Sequence, residues 1–252
     1  MKRIRLLKVL AAVLAAAGAA LIAAGLAIQL IAYRGGAGNG AVTETAELET
    51  PRELVVITTS MPVTVRYGDT ENVTVSYTAS LPLIFTEEKG MLRITQDDSF
   101  TMSLFSASSE NTGITVTLPH KVYERISLSS SSGSVTSESL AADTLEFSTK
   151  SGALKLIGID ERASVRTESG TVYADVSSFS GDMTINAGSG DVTLIMPEEL
   201  SMYLEFLTES GRFTSKRFDR LYHEKYGDAA AILGDGRSKL TVNTTSGSLY
   251  IY

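Results

Sequence analysis

The sequence contains no cysteine and only two histidines among its 252 residues. Without cysteine the chain forms no disulfide and carries no lipid on a thiol, and the lack of free thiols is compatible with a location outside the cytoplasm. Neither histidine is placed for a catalytic triad, since His120 follows Pro119 at a predicted strand exit and His223 lies in an irregular connector. The Gly-x-Ser-x-Gly, phosphate-loop and His-Glu-x-x-His motifs are also missing. These gaps argue against an enzyme.

The acidic residues do not form a recognisable catalytic pair. Some parallel β-helices are carbohydrate-active enzymes, and hydrolysis of a sugar bond needs two carboxylates at a defined separation. The acidic residues here are scattered, and the neighbours Glu87/Glu88 and Asp97/Asp98 point to opposite faces when they lie in strands. We therefore expect no catalytic residue and no bound cofactor.

Calcium binding is suggested by "SGDM" at 180–183 and "SGDV" at 189–192, which lie nine residues apart, the period of calcium-binding β-rolls. In the repeat described below, the column that contains Asp191 reads Ser134, Ala153, Thr171, Asp191, Arg212 and Ser248. One acid beside an arginine of the following copy does not supply the roughly six to eight oxygens that calcium prefers. The sequence therefore predicts no metal site.

Charge divides the chain at its start. Residues 1–34 hold five Lys/Arg and no acidic residue, so residues 35–252 carry 17 basic against 29 acidic groups, a net charge of −12. Nucleic-acid affinity comes mainly from cations that neutralise phosphates, so this acidic part is a poor candidate for that partner. Anionic lipid headgroups also repel it, and the excess charge favours solubility.

A long apolar run follows the basic residues 1–8. Val9 to Ile31 contains one polar side chain, Gln29, and its 23 residues exceed the roughly 20 that cross a bilayer as a helix. The positive flank predicts a cytoplasmic stub at 1–8, a single-pass signal-anchor helix at 9–33 and a C-terminal domain outside the cytoplasm. A cleaved signal peptide is the alternative. Its apolar stretch is usually only about 7–15 residues long.

Small residues recur at every fourth position of this span. The stripe consists of Ala11, Ala15, Ala19, Ala23 and Ala27. Such stripes let two helices approach closely in lipid, so a homodimer through the transmembrane helix is one hypothesis. The alternative is that alanine fills the anchor without pairing.

The remainder has the pattern of β-strands. Residues 34–50 are small and polar and predict a flexible linker. From Leu54 onward, segments such as "VTVRY", "VTVSY" and "GITVTLP" alternate apolar and polar residues, and this period of two predicts strands. We expect one domain over 51–252, with an N-terminal β layer at 51–120 and repeated coils at 121–252.

One frame, apolar-x-apolar-x-x-x-Ser-Gly-x-apolar, occurs six times in 121–252. The copies begin at Ile126, Leu145, Ala163, Met183, Leu204 and Leu240. Their starts are 19, 18, 20, 21 and 36 residues apart, and a constant frame with variable connectors is typical of a solenoid. The fold class predicted is therefore all-β, a single-domain, parallel β-helix-like solenoid with about 18–21 residues per coil. The last gap fits either two coils or one coil with an inserted hairpin.

The Ser-Gly pair predicts a corner in each coil. Glycine is expected there because a sharp reversal needs a positive φ angle, and the serine hydroxyl is expected to bond the corner backbone. Two residues before the serine lies a column of small residues, in which stacked hydroxyls are expected to satisfy one another. It consists of Ser130, Thr149, Thr167, Ala187, Thr208 and Thr244. These side chains predict architecture, since six nucleophiles would be redundant.

The chain stops inside its last predicted strand, "SLYIY". The terminal coil of a solenoid exposes unpaired strand edges unless something covers it. Two explanations remain open at this point: the connector at 217–239 folds over that end, or a partner docks there.

The ordered series "ITVTLP", "ISLSSSSGSV", the Thr-x-Ser-Gly coils and the closing "LTVNTTSGSLYIY" resembles the bacterial family of β-strand-repeat "putative adhesin" domains of unknown function. The resemblance covers residues 52–252 and implies a β-solenoid on a membrane-anchored envelope protein. We expect a non-enzymatic surface domain, adhesin-like or structural, that binds an unidentified envelope or surface ligand. The alternatives are an envelope-stress sensory protein acting through a membrane partner and a carbohydrate-active β-helix enzyme.

Overall fold

The computed structural model describes residues 43–78, 83–97, 113–159, 162–179, 181–218, 223–225 and 228–252. These residues form strands, turns and loops without a helix. Accordingly, no helix in this part of the chain has the length and apolarity needed to span a bilayer. The predicted stub at 1–8, the transmembrane helix at 9–33 and its alanine stripe lie outside the described residues.

The described residues contain strands that are numbered here in chain order. The N-terminal half contains β1 (Thr43–Leu48), β2 (Glu53–Thr58), β3 (Val63–Tyr67), β4 (Val73–Thr78), β5 (Leu83–Glu88), β6 (Met91–Gln96), β7 (Ile114–Leu118), β8 (Tyr123–Ser130), β9 (Val135–Glu138) and β10 (Ala142–Thr149). The C-terminal half contains β11 (Leu154–Ile159), β12 (Ala163–Thr167), β13 (Val172–Val176), β14 (Met183–Ala187), β15 (Val192–Ile195), β16 (Met202–Thr208), β17 (Phe213–Ser215), β18 (His223–Lys225), β19 (Asp228–Leu233), β20 (Ser238–Thr244) and β21 (Leu249–Ile251).

Two long sheets face each other across the core. Sheet A has the order β1-β4-β7-β3-β9-β11-β13-β15-β21-β17, and sheet B has the order β18-β19-β16-β20-β14-β12-β10-β8-β2-β6-β5. Within the described residues, the strands from β6 to β16 in sheet B and from β7 to β17 in sheet A pair in parallel. The register is regular apart from a shift between Ile157 and Ile159, where β11 pairs with β13. Each coil is one strand of sheet B, a corner and one strand of sheet A. The all-β solenoid prediction is confirmed.

Side chains that alternate inward along each strand stack into apolar columns. Leu145 of β10 pairs with Ile126 on one side and with Ala163 on the other, and all three are buried. Aromatic rings close both ends of this core. Tyr77 lies 6.0 Å from Phe85 at the end formed by β1, β4 and β5, which we call the base. At the opposite end, which we call the tip, Phe213 packs between Phe206 and Phe218. The ring centroid of Phe213 lies 6.2 Å from that of Phe206 and 5.8 Å from that of Phe218.

The copies of the repeat do not stack in sequence order at the tip, which corrects our expectation. The last copy, β20 and β21, lies between the coil of β14 and β15 and the coil of β16 and β17. The order changes because the outer edge of β16 faces β19, which pairs antiparallel with it, and the connector then returns the chain inward. The connector is therefore a hairpin inserted between two coils.

The base shows the same inversion. The coil of β6 and β7 lies outside the coil of β2 and β3, although it comes later in the chain. The coil of β2 and β3 is a further copy of the repeat, because Leu54 pairs with Ile126 and Val63 with Val135. Its corner carries Ser60 and Met61 where the other copies have Ser-Gly. The repeat thus begins within the predicted N-terminal β layer.

The corner glycines have a different reason from the one expected. Positive φ among described glycines occurs at Gly90, Gly158, Gly234 and Gly236, none of which is a repeat-corner glycine. Instead, a Cβ added to Gly152 would overlap the carbonyl oxygen of Gly133, and one added to Gly170 would overlap that of Gly152. The same overlap recurs up the column through Gly190, Gly247 and Gly211. The missing side chain is required for close contact between coils.

Two further expectations change at the ends of the sheets. Thr43–Leu48, which we assigned to the flexible linker, form strand β1 and pair antiparallel with β4. The C-terminal strand β21 pairs with β15 on one side and with β17 on the other. Its edges are therefore covered by the chain itself, and the reason for expecting a partner at the last strand disappears.

We predict that Gly170→Ala destabilises the domain by roughly 1–3 kcal/mol, the range seen when a packed core is overfilled. The new methyl group overlaps backbone, which cannot rotate away as a flexible side chain does. The measurement is the urea midpoint of unfolding, with the exposed neighbour Thr171→Ala as the matched control. Equal midpoints for the two variants would remove close contact as the explanation.

We also predict that stability falls as the pH rises from 10 to 12. Burial, followed by the nearby Glu44 carboxylate, raises the pKa of Tyr77 from 10.0 to about 12, and burial also raises the pKa of Tyr123. In this window the unfolded chain releases tyrosine protons that the folded chain retains, so a rise in pH favours unfolding.

The Tyr77→Phe variant should show a shallower loss of stability over this window, measured as the urea midpoint against pH. Tyr250→Phe, on the outer face of sheet A, serves as the matched control. Identical slopes for the two variants would contradict the assignment to Tyr77.

Candidate binding surface

The corner hydroxyls make structural hydrogen bonds. The amide of Gly152 donates to Thr149 Oγ1 at 2.9 Å, that of Gly170 to Thr167 Oγ1 at 2.8 Å, and that of Gly211 to Thr208 Oγ1 at 2.7 Å. The small column thus satisfies the backbone of its own corner first. Direct contact along the axis occurs where Thr58 donates to Ser130 at 2.9 Å and Thr244 donates to Thr208 at 2.8 Å.

The corner serines link neighbouring coils. The amide of Ser132 donates to the carbonyl of Thr59 at 2.8 Å, and its hydroxyl donates to the same oxygen at 3.1 Å. Ser151 makes the same pair of contacts with the carbonyl of Ser131. Below the first corner, Gln96 takes this role, since its Oε1 accepts the amides of Thr59 and Ser60 at 2.9 and 3.1 Å. These contacts agree with an architectural role.

The aspartates of the two Ser-Gly-Asp segments, Asp182 and Asp191, also hold coils together. Asp182 Oδ1 accepts the amide of Lys239 at 2.8 Å, and Asp191 Oδ1 accepts the amide of Ser248 at 2.8 Å. Both bonds join the fourth copy of the repeat to the last one. Because the stacking order differs from the sequence order, Ser248 lies next to Asp191 and Arg212 is one coil further away. No cluster of three potential metal-ligating residues occurs in the ranges that the structure describes.

The candidate histidines and acidic residues that the structure describes lie in different parts of the fold. The ring of His120 packs at a tilt against that of Tyr67, with ring centroids 4.7 Å apart, and His223 lies in β18. Glu87 and Glu88 are exposed at the end of β5, while Asp98 lies outside the described residues.

Near Tyr67, the ammonium of Lys121 lies 4.6 Å from the ring centre of Tyr123 and donates to the carbonyl of Pro51 at 2.6 Å. Burial lowers the pKa of Lys121. Together these contacts fasten the loop that leaves β7.

A polar depression runs along sheet B beside the corners. It consists of two adjoining hollows of about 270 and 640 Å³, both lined by Arg166 and Glu168. We call this surface the corner groove and define it by the outward residues Ile57, Ser129, Ser131, Ser148, Lys150, Arg166, Glu168, Asn186, Gly188, Asn243 and Thr245. Register places Ser129, Ser148, Arg166, Asn186 and Asn243 in one column along the solenoid axis.

Two features shape the wider hollow of the corner groove. Asn243 donates to Asn186 Oδ1 at 2.9 Å, so the two carboxamides form a ladder along the axis. Gly188 stands where the two neighbouring coils carry Glu168 and Thr245, and it packs against the carbonyl of Glu168. The absence of a side chain at this position deepens the groove. The repeated frame contains the signal for this surface, because the residues on either side of the small column face outward in every coil.

A family model described as Toastrack DUF4097 matches residues 52–180 and 161–251. The chain belongs to the Toastrack family. The expected resemblance to a bacterial family of adhesin-like domains of unknown function is confirmed by this match. A search of curated proteins gave no significant match.

Two solved structures align with most of the chain. One, described as a "putative cell adhesion protein" from Clostridium sporogenes ATCC 15579, aligns with a TM-score of 0.51 and 14% identity over 83% of this chain and 98% of its own. A "putative adhesin" from Bacteroides fragilis NCTC 9343 aligns with a TM-score of 0.42 and 13% identity over 85% of this chain and 98% of its own. At these identities the similarity concerns the fold alone.

We predict that removing Asp182 and Asp191 loosens the last coil of this Toastrack domain. Each loses one hydrogen bond to a backbone amide, worth about 1 kcal/mol at an exposed site. In Asp182→Ala/Asp191→Ala, amides of 238–252 should exchange with deuterium faster than in the wild type, while those of β8 and β10 keep their rates. Asp175→Ala, on the outer face of sheet A, is the matched control.

Equal exchange in the double variant and the control would show that the two carboxylates do not hold the coil. Added calcium should leave the wild-type rates unchanged, because the sequence predicts no metal site; a calcium-dependent slowing would contradict that prediction.

Proposed function

We propose that this protein is a non-enzymatic, membrane-anchored surface module whose Toastrack domain lies outside the cytoplasm and binds another component of the cell envelope. The observation that carries the proposal is the corner groove, a hydrogen-bonding surface on a rigid stack of coils. The fold similarity to a structure described as a "putative cell adhesion protein" supports a binding role. The apolar run at 9–33 supports the anchor.

The fold would also set the orientation of such a module. Thr43 begins β1, the outermost strand of sheet A at the base, so an anchor ahead of it joins the domain at that end. Sheet A has ten strands, and a spacing of about 4.8 Å extends it by about 43 Å from β1 to β17. The tip would then stand farthest from the membrane, with the corner groove along the side.

Regular stacking makes this extension stiff. From the coil of β2 and β3 to the coil of β16 and β17, neighbouring coils are hydrogen-bonded through both sheets and through their corners. A rigid rod presents its side chains without first ordering them, which lowers the entropic cost of binding. The domain would therefore act by fixed presentation of a surface, and the acidic exterior would keep it away from anionic headgroups.

Because the chain has no cysteine, single cysteines report its topology. We predict that Thr171→Cys, at an exposed corner, reacts with a membrane-impermeant maleimide on intact cells. Lys2→Cys, in the basic stub, should react only after the membrane is permeabilised. Labelling of Thr171→Cys that also requires permeabilisation would contradict an extracytoplasmic domain.

A further inference from the structure

We propose that the corner groove binds a neutral, hydroxyl-rich polysaccharide chain that lies along the solenoid axis. This inference rests on the proposed function for the source of the ligand, the cell envelope, and adds its chemical class.

The backbone at the corner is already used. The amides of Ser169, Ser189 and Ser246 donate to the carbonyls of Lys150, Glu168 and Gly188 in the adjacent coils, at 2.7 to 3.0 Å. An extended peptide is usually recognised by backbone pairing at a free sheet edge. The groove lies on a sheet face and offers side chains, so it favours a ligand whose own side groups form the hydrogen bonds.

The free groups suit hydroxyls. Ser148 offers a hydroxyl group that donates and accepts, whereas the hydroxyl of Ser129 donates to the carbonyl of Val56 at 3.4 Å and keeps its acceptor capacity. The bond between Asn243 Nδ2 and Asn186 Oδ1 leaves Asn186 Nδ2 and Asn243 Oδ1 for a ligand, and Arg166 offers several N–H donors. Arg166 and Lys150 form no ion pair with another described residue. Hydroxyl groups of a sugar both donate and accept, so they match this mixture.

The spacing suits a linear polymer. Neighbouring strands lie about 4.8 Å apart, so equivalent side chains of successive coils repeat at that distance along the axis. A pyranose ring in an extended chain advances by nearly the same distance, which places one ring over each coil. From β2 to β20 the groove crosses six strands of sheet B, about 24 Å, enough for about five rings.

Charge narrows the ligand class further. The lining contains Lys150 and Arg166 against Glu168, a net charge of +1, on an exterior domain whose sequence has a net charge of −12. A polycation would find stronger partners elsewhere on the acidic exterior. A polyanion would meet one excess cation here and repulsion around it. A neutral chain makes the hydrogen bonds without either penalty.

The test is binding of β-1,4-linked oligosaccharides to the full-length protein in mild detergent, measured by calorimetry. Affinity should rise from the disaccharide to the pentasaccharide and then level off. Arg166→Ala and the double variant Asn186→Ala/Asn243→Ala should each weaken binding by roughly three- to tenfold for each hydrogen bond lost. Urea midpoints of the same preparations verify that the variants remain folded.

Matched controls lie on sheet A. Lys155→Ala replaces an exposed cation on that face, and Thr193→Ala/Thr214→Ala replaces two polar side chains there. These variants should bind as the wild type does. A loss equal to that of the groove variants, or an affinity that does not depend on chain length, would overturn the proposal.

Two other probes separate the ligand classes. Poly(glycerol phosphate) carries a regular negative charge, and an extended neutral peptide carries backbone amides. Tighter binding of either one through Arg166 and Asn186 would overturn the polysaccharide assignment while leaving the surface module intact. Conversely, labelling of Thr171→Cys only after permeabilisation would show that the domain is cytoplasmic. That result would overturn the proposed function without changing the affinity measured in detergent.

Discussion

The contact between corner backbones sets the geometry of the whole molecule. A carbonyl oxygen of one coil occupies the space where the next glycine would carry its Cβ, and this recurs from Gly133 to Gly211. The contact fixes the vertical register, and the fixed register places Thr149 or Thr167 beneath its own glycine amide. Inward side chains then meet their equivalents in neighbouring coils, and a continuous apolar core follows from one steric requirement. Met61 is compatible with this rule because Gly133 supplies the glycine at that contact.

The sequence predicted the local unit well. Period-two alternation assigns Leu145, Phe147 and Leu154 to the core, and all three are buried. The copy at Leu54 was missed because Met61 replaces glycine, although the spacing of Leu54, Thr58 and Val63 already follows the frame. The linker assignment failed at Thr43–Leu48 because short polar segments become strands when a neighbouring edge supplies their hydrogen bonds.

The order of the coils was beyond the reach of the repeat pattern. Every copy presents the same frame, so any two copies can form similar apolar and corner contacts, and local sequence does not decide which pairs meet. The choice at the tip comes from contacts between distant residues, such as Asp191 with Ser248 and β16 with β19. The corner groove could not be predicted from the repeat pattern either, because it forms only when the pairing of strands brings Arg166, Asn186 and Asn243 side by side. The frame identified these positions as outward-facing but did not show that they are neighbours.

The inversion at both ends has a consequence for how such a chain changes length in evolution. The first and last copies of the repeat each lie between two other coils, so neither copy has a free side on which another coil can stack. Duplicated units added at a terminus would meet the hairpin of β18 and β19 or the antiparallel strands β1, β4 and β5. Between β8 and β15 the copies follow one another in chain order. A duplicated unit there adds one coil without disturbing the base or the tip. Growth by internal duplication is therefore the route that this topology leaves open.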